Sequence, residues 1–301
     1  MPCSGTAPVD IMKVWILLPA YNEAASFPRL LPRIREAFDA AGLDWRIVIL
    51  DDGSTDDTTE VLAAYQNDYP LEVLRHIINR GLGETERDIF EYAAANAADD
   101  DMVLRLDCDD THDPRFFISM LKKLEEGHDV VVASRFQPGG GQDGVHGYRL
   151  FLTTAASLYM RIFFPIKGVR DYSCGFRAYR ASIIKDAVAV FGNYFIQMKG
   201  LGFTSTLETI IKLNLLGARF SEVPFHLHYN RKASPSKMLS SITTLGYLVM
   251  TLLHWWPLGG WRSCYKDMAR LYRENPEAAQ SKYGPGCLRR STISRIGGGG
   301  V

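Results

Sequence analysis

The sequence predicts an α/β fold: a mostly parallel sheet flanked by helices, followed by an amphipathic helical tail. Two observations carry this. Over the first 135 residues, short apolar runs of strand length alternate with stretches of helical spacing. Strand, helix, strand in repetition then implies parallel pairing, because the crossovers between parallel strands are helices. A third observation bears on use. Acids cluster where several of the apolar runs end, and in such sheets ligands bind at the carboxyl ends of the strands.

The elements follow in order. Lys13–Leu18, Trp45–Leu50, Leu71–His76, Met102–Leu106 and Val130–Ala133 read as buried strands. Phe27, Leu30, Leu31, Ile34 and Phe38 recur at helical spacing, with Pro28 suited to the first turn and Gly42 to the stop. Asp57–Tyr65, Glu84–Ala97 and Pro114–Leu124 repeat the helical pattern. Gln137–Gly147, glycine-rich, reads as a mobile loop over the site. Tyr148–Phe164 and Leu207–Leu216 read as helices and Phe220–Val223 as a strand. The expected organisation is a tail over 1–12, the main domain over 13–238, interfacial helices over 239–283 and a disordered tail over 284–301.

Composition narrows the class. With 301 residues, 47% hydrophobic and 23% charged, the chain is neither disordered, collagen-like nor disulfide-stapled. Net charge is zero, which gives no reason to expect nucleic-acid binding, yet it is split. From Arg231 onward there are 11 Lys/Arg against 3 Asp/Glu, leaving 23 against 31 before it. Five cysteines, Cys3, Cys108, Cys174, Cys264 and Cys287, form no CxxC pair and read as reduced thiols. Met1–Asp10 lacks the pattern of a signal peptide, so a cytoplasmic catalytic part is expected.

Leu239–Trp256 is the ambiguous stretch. No charge falls in the 24 residues between Lys237 and Arg262, but Ser240, Ser241, Thr243, Thr244, Thr251 and His254 dilute the run. A spanning helix needs about 20 predominantly apolar residues. Trp255, Trp256 and Trp261 stand beside Arg262, Lys266, Arg270 and Arg273, the residues a membrane-surface helix carries. An interfacial helix is the favoured reading; a packed helix and a spanning one are the alternatives.

Three strand ends deliver acids: Pro19-Ala20-Tyr21-Asn22-Glu23, Leu50-Asp51-Asp52-Gly53-Ser54 and Leu106-Asp107-Cys108-Asp109-Asp110. In extended chain Asp107 and Asp109 face one side. Two carboxylates together call for a cation, and hard oxygen ligands with open positions favour Mg²⁺ or Mn²⁺ shared with phosphate. The plainer reading is that these acids cap the helices that follow. His226 and His228, alternating on a strand, and His112, beside the acid loop, are weaker ligand candidates.

These motifs, in this order and spacing, resemble the family 2 glycosyltransferases of Rossmann-like GT-A fold. Ala133-Ser134-Arg135-Phe136, Asp171-Tyr172-Ser173-Cys174-Gly175-Phe176-Arg177, Glu222-Val223-Pro224, Arg231 and Ser236-Lys237 narrow the resemblance to the dolichol- and polyprenyl-phosphate mannose synthases. It covers about residues 13–240. The resemblance implies a nucleotide-sugar site at Pro19, Tyr21, Glu23, Leu50, Asp52, Cys108 and Thr111. It implies metal on Asp107 and Asp109, and phosphate oxygens facing Arg135, Arg231 and Lys237, residues whose charges suit phosphate. Asp171 would orient an Arg or contact the acceptor. Three departures from the pattern stand out: Thr111 stands where Gln is frequent, Ser234 where Gly is usual, and Glu84 and Thr85 follow Asn79-Arg80-Gly81-Leu82-Gly83 where small residues are usual.

The expected reaction is inverting transfer from a nucleoside-diphosphate sugar to a membrane polyprenyl phosphate, with GDP-mannose favoured over a UDP-sugar. Relatives that glycosylate hydroxyls resemble one another in a Glu-Asp pair eleven to twelve residues before a helix-ending Gly. Counting back from Gly217 reaches Thr206 and Ser205, with Glu208 two residues further along. A hydroxyl acceptor needs a base, whereas a phosphate is already an anion. A peripheral place on the cytoplasmic face of a membrane follows, with room for a membrane-protein partner. The competing readings are transfer to a sugar hydroxyl, a DxDxT phosphatase with Asp107 as nucleophile, and a non-catalytic membrane-surface scaffold.

Overall fold

In a computed structural model, residues 12–144, 147–201, 203–229, 240–255, 260–283 and 294–295 are described. The first strand, β1 (Lys13–Ala20), is buried on both faces, and its side chains divide by parity. Val14, Ile16 and Leu18 enter one apolar cluster, Trp15 and Leu17 the other. A helix covers each face of such a strand. On the first, α1 (Phe27–Ala40) buries Phe27, Leu30, Leu31, Ile34 and Phe38, carries proline in its first turn and gives way to Gly42 at φ 65°.

The alternation continues through β2 (Asp44–Asp51), α2 (Thr58–Tyr65), β3 (Leu71–Arg75), α3 (Leu82–Asn96) and β4 (Met102–Arg105). A 3₁₀ turn, Pro114–Phe116, then leads into α4 (Phe117–Glu125) and β5 (Val130–Ser134). The single helix expected over Pro114–Leu124 is therefore divided, with Asp113 accepting from the Arg115 N–H where the turn begins.

Within Gln137–Gly147, expected to be loop throughout, Gly141–Asp143 form a short strand, β6. Beyond α5 (Tyr148–Phe163) come β7 (Arg177–Arg180) and α6 (Ala181–Phe191), which no periodicity announced. α7 (Thr204–Leu215), β8 (Phe220–Pro224) and β9 (His226–His228) follow, and β9 pairs in parallel with β6. The C-terminal helices are α8 (Ser240–Trp255), α9 (Gly260–Glu274) and α10 (Pro276–Tyr283).

The main sheet runs β3-β2-β1-β4-β7-β5-β8, extended beyond β3 by β10 (Ser294–Arg295). Its strands are parallel except β7, antiparallel to both neighbours, and β10, antiparallel to β3. Of the tail expected to be disordered over Gly284–Val301, Ser294–Arg295 alone lie within the described residues.

Two apolar cores result, one on each face of the sheet. One joins α1 and α4; the other joins α3, α6 and α7, and Met250 of α8 and Tyr265, Met268 and Ala269 of α9 enter it. The inner sides of the C-terminal helices are thus packed on the domain. No helix among the described residues is long and apolar enough to cross a membrane.

Candidate active site

The carboxyl ends of β1, β2 and β4 open into a cavity of about 770 Å³. At the β1 end, Asn22 takes a left-handed conformation (φ 52°), one that Asn tolerates better than most residues. Its amide donates to Ser54 Oγ at 2.9 Å and its Oδ1 accepts from Thr55 N–H at 2.8 Å, which ties the β1 and β2 ends together. Pro19, Tyr21 and Glu23 line the cavity. Leu50, expected at the nucleotide, is instead fully buried in the core.

The two acids at the end of β2 divide their work. Asp51 forms the turn, accepting from Ser54 N–H at 3.0 Å and from the Thr59 hydroxyl, as the plainer capping reading had it. Asp52 lines the cavity. Its carboxylate accepts from the backbone N–H of Arg80 and of Gly81, both at 2.8 Å. His76 stands between Asp52 (2.6 Å) and Asp88 (3.0 Å), one ring nitrogen on each. Burial alone would lower the pKa of this imidazole; the two carboxylates outweigh it and raise the value. Glu84 also acquires a reason, since it pairs with Arg80, Arg87 and Lys199 and ties the first turn of α3 to the segment before α7.

Asp107 and Asp109 both line the cavity, as alternation predicts. Asp109 is largely buried, and its Oδ1 accepts from the Thr111 amide and, at 2.6 Å, from its hydroxyl. Thr111 thereby secures the second acid. Asp110, at φ 61°, turns outward to Arg33 and Arg29. Cys108 donates to the Pro19 carbonyl, and burial pushes its thiol well above the usual range. Buried His112 accepts from the Asp107 amide through Nδ1; burial lowers its pKa and favours the neutral ring.

Two carboxylates are a donor set that fits Mg²⁺ or Mn²⁺. No group of three His, Cys, Asp or Glu suited to a metal occurs among the described residues. The open positions would fall to diphosphate oxygens and water, the usual partition for Mg²⁺. His226 and His228 do not join this pair: His228 faces Asp143 at 3.2 Å, and the His226 ring covers Gly141.

Arg135 lines the cavity with its guanidinium clamped from behind. Nε and Nη2 each donate to Asp171 at 2.7 Å, and Nη2 also reaches Ser173 Oγ. Asp171 is fully buried, so of its two expected roles the geometry shows the orientation of an arginine. Burial opposes its charge, but Arg135 holds its pKa below the usual value. Glu222 fixes the pair in turn, accepting from the Arg170 and Asp171 amides at 2.6 and 2.7 Å. Arg231, Ser234 and Lys237 lie outside the described residues.

Glu208, the acid nearest the position where hydroxyl-glycosylating relatives carry their pair, does not line the cavity. It is buried against Lys212 and accepts from the Gln197 and Met198 amides. Arg105, Glu86, His76 and Lys199 were missed. Arg105 had a legible signal, as the one charge inside the apolar run Met102–Leu106 and two residues before Asp107.

The glycosyl transferase family 2 model matches residues 15–188. The chain belongs to this family. It is 28% identical over 247 residues to a dolichol-phosphate mannosyltransferase of Pyrococcus furiosus, covering 81% of this chain and 64% of that protein. It is 30% identical over 251 residues to an undecaprenyl-phosphate 4-deoxy-4-formamido-L-arabinose transferase of Yersinia pestis, covering 82% and 69%. The chain therefore spans about two thirds of the length of these relatives.

Among solved structures, S. aureus TarS residues 1–349 superposes with a TM-score of 0.53 at 17% identity, covering 92% of this chain and 76% of that one. Glucosyl-3-phosphoglycerate synthase from Mycobacterium tuberculosis, in complex with Mn²⁺, UDP and phosphoglyceric acid, gives 0.51 at 19%, covering 80% and 78%. These similarities show the GT-A fold. The family match leaves the phosphatase reading of Asp107–Thr111 without support.

Proposed function

We propose that the protein transfers a sugar from a nucleoside-diphosphate sugar to a polyprenyl phosphate at a membrane surface, with inversion at the anomeric carbon. One observation carries the choice of acceptor. Among the described residues that line the cavity, the acids are Glu23, Asp52, Asp107 and Asp109, all following the ends of β1, β2 and β4. The far wall is formed by Ala156, Phe203, Thr206, Thr243, Thr244 and Tyr247 and carries no carboxylate. A hydroxyl acceptor would lack a base there, whereas a phosphate needs only cations and a place for its chain. The names of the two relatives, both polyprenyl-phosphate transferases, support the same acceptor.

The lipid has an approach. α5 and α8 line the cavity inside and present apolar side chains outside: Leu158 and Ile162 on α5, Leu245, Leu248, Leu252 and Trp255 on α8. Trp255 Nε1 donates to the Phe163 carbonyl and joins the two helices. Each half-exposed leucine entering hydrocarbon contributes about 1 kcal/mol. This supports peripheral binding to a bilayer, and the cytoplasmic face, with the basic C-terminal segment against anionic lipid, is proposed with it.

In the proposed reaction a phosphate oxygen of the acceptor attacks the anomeric carbon from the face opposite the donor diphosphate, whose bond to that carbon breaks and whose oxygen takes the electron pair. Asp107 and Asp109 would hold a Mg²⁺ or Mn²⁺, which when bound neutralises charge on the leaving diphosphate. Arg135 lies beside the phosphates, held by Asp171. Arg231 and Lys237 are proposed to face phosphate as well. Asp52 and the Arg80–Gly81 turn shape the nucleotide end, with a GDP-sugar, GDP-mannose first, favoured over a UDP-sugar.

The test is incubation of the protein with Mn²⁺, polyprenyl phosphate and a panel of radiolabelled GDP- and UDP-sugars, with label in the organic phase as readout. Transfer from one donor, abolished in Asp109→Ala, is the expected result. Donor binding without turnover of any sugar would favour the scaffold reading instead.

A further inference from the structure

Arg105 is the last residue of β4, and its side chain is fully buried yet reaches the cavity wall. Nη2 meets Glu86 Oε1 of α3 at 2.7 Å, and Nη1 meets Asp107 Oδ1 at 2.5 Å. A buried guanidinium bridging two acids is costly to assemble, and the chain has cleared space for it. A Cβ built on Gly175 would overlap Nη1, although Gly175 has no left-handed backbone to explain the glycine. Glu86 is also buried, so the arginine is held from behind by a partner almost wholly removed from solvent. On its other side Asp107 is met by His112, whose Nε2 lies 3.7 Å from Oδ2.

We propose that Arg105 is a positioning residue for the donor site: by binding Oδ1 of Asp107, it fixes the orientation in which that carboxylate faces the cavity and a divalent cation on the diphosphate. The proposal deepens the assignment of Asp107 and Asp109 as metal ligands and rests on it. The fork shape matters, because one planar head must satisfy Glu86 and Asp107 together, which the point charge of lysine does less well. The room at residue 175 is part of the same device.

The experiment is a Mn²⁺ titration of the full chain followed by electron paramagnetic resonance, in the presence of GDP and, separately, UDP. The variants are Glu86→Gln/Arg105→Gln, which leaves no lone buried charge, Arg105→Lys, and Gly175→Ala, which crowds the arginine without altering any charge. Partners that orient a metal ligand are worth about tenfold or more in affinity. Nucleotide-dependent Mn²⁺ affinity should fall by at least that factor in the double variant and in Gly175→Ala, with Arg105→Lys between these and wild type. If the double variant does not fold, Arg105→Lys carries the test, because a Cβ at residue 175 would also come within 3.3 Å of Asp107 Oδ1. Wild-type Mn²⁺ binding retained in folded Arg105→Lys or Gly175→Ala overturns the positioning role alone. Wild-type protein that binds no Mn²⁺ with either nucleotide, or the same amount as Asp109→Ala, overturns the metal assignment and the proposal with it.

Discussion

Asp52, His76 and Asp88 form a buried row in which one imidazole serves two carboxylates, and the Arg80–Gly81 turn hangs on the first of them. The folded-state pKa of His76 is raised above its usual value. The protonated ring therefore contributes stability that is fully present below about pH 6.5 and lost as pH rises through the higher folded value. His76→Gln should remove this part of the pH dependence. Urea unfolding of both proteins between pH 5.5 and 9 should show the wild type losing more of its advantage on the alkaline side; parallel curves would contradict the assignment.

Legibility at this scale followed chemistry. Asp107, Asp109 and Asp52 drew attention because acids at neighbouring strand ends have few structural reasons to recur, whereas Arg135 was reached through the family resemblance. Glu86 and His76 drew none, because what gives them meaning is contact across strands and helices, and Arg105, though marked as the one charge in Met102–Leu106, took its meaning from the same kind of contact. Leu50 was over-read: its place beside Asp51 is that of a core side chain facing away from the cavity.

α8 rests on the start of α7 at Gly246, where an added Cβ would overlap the Thr204 methyl and lie 3.0 Å from the Leu201 carbonyl. That close approach brings Thr243, Thr244 and Tyr247 to the cavity. Gly246→Val should push the helix outward, at a cost of about 1–3 kcal/mol for an overpacked contact. Steady-state kinetics should then show KM for the lipid acceptor rising by at least threefold with KM for the donor little changed. An equal rise in both would place α8 at the donor instead.

The elements that the pattern identified, β1 to β5, α1 to α5, α7 and β8, are those whose apolar residues repeat cleanly. β7 escaped because Arg-Ala-Tyr-Arg carries no apolar run. Arg177 is buried through main-chain carbonyls, donating to Tyr172 O at 2.8 Å and to Thr206 O. β6 escaped because a three-residue strand rich in glycine gains its identity only from pairing with β9.

At the scale of the whole molecule, one sheet positions the acids at one end of the cavity, and helices α5, α7 and α8 close the other. Those helices also carry the exposed apolar surface of Leu158, Ile162, Leu245, Leu248 and Leu252. Leu248→Glu/Leu252→Glu should abolish flotation with anionic vesicles and leave transfer to a short-chain acceptor in detergent near the wild-type rate. Retained flotation would move the membrane contact to another face. The sequence showed that 239–256 was apolar and uncharged. It did not show that one side of this helix would line the cavity, because that follows from Gly246 and its neighbours in space.

The central claim is that the acceptor nucleophile is a phosphate, and its most direct measurement compares two lipids of equal length, a polyprenyl phosphate and the corresponding polyprenol. With the preferred donor and Mn²⁺ held constant, label should enter the phosphate lipid and leave the alcohol at background, and the product should release its sugar to mild acid as a glycosyl phosphate does. Transfer to the polyprenol at a comparable rate would contradict the account, since it would require a base that the far wall of the cavity does not present among the described residues.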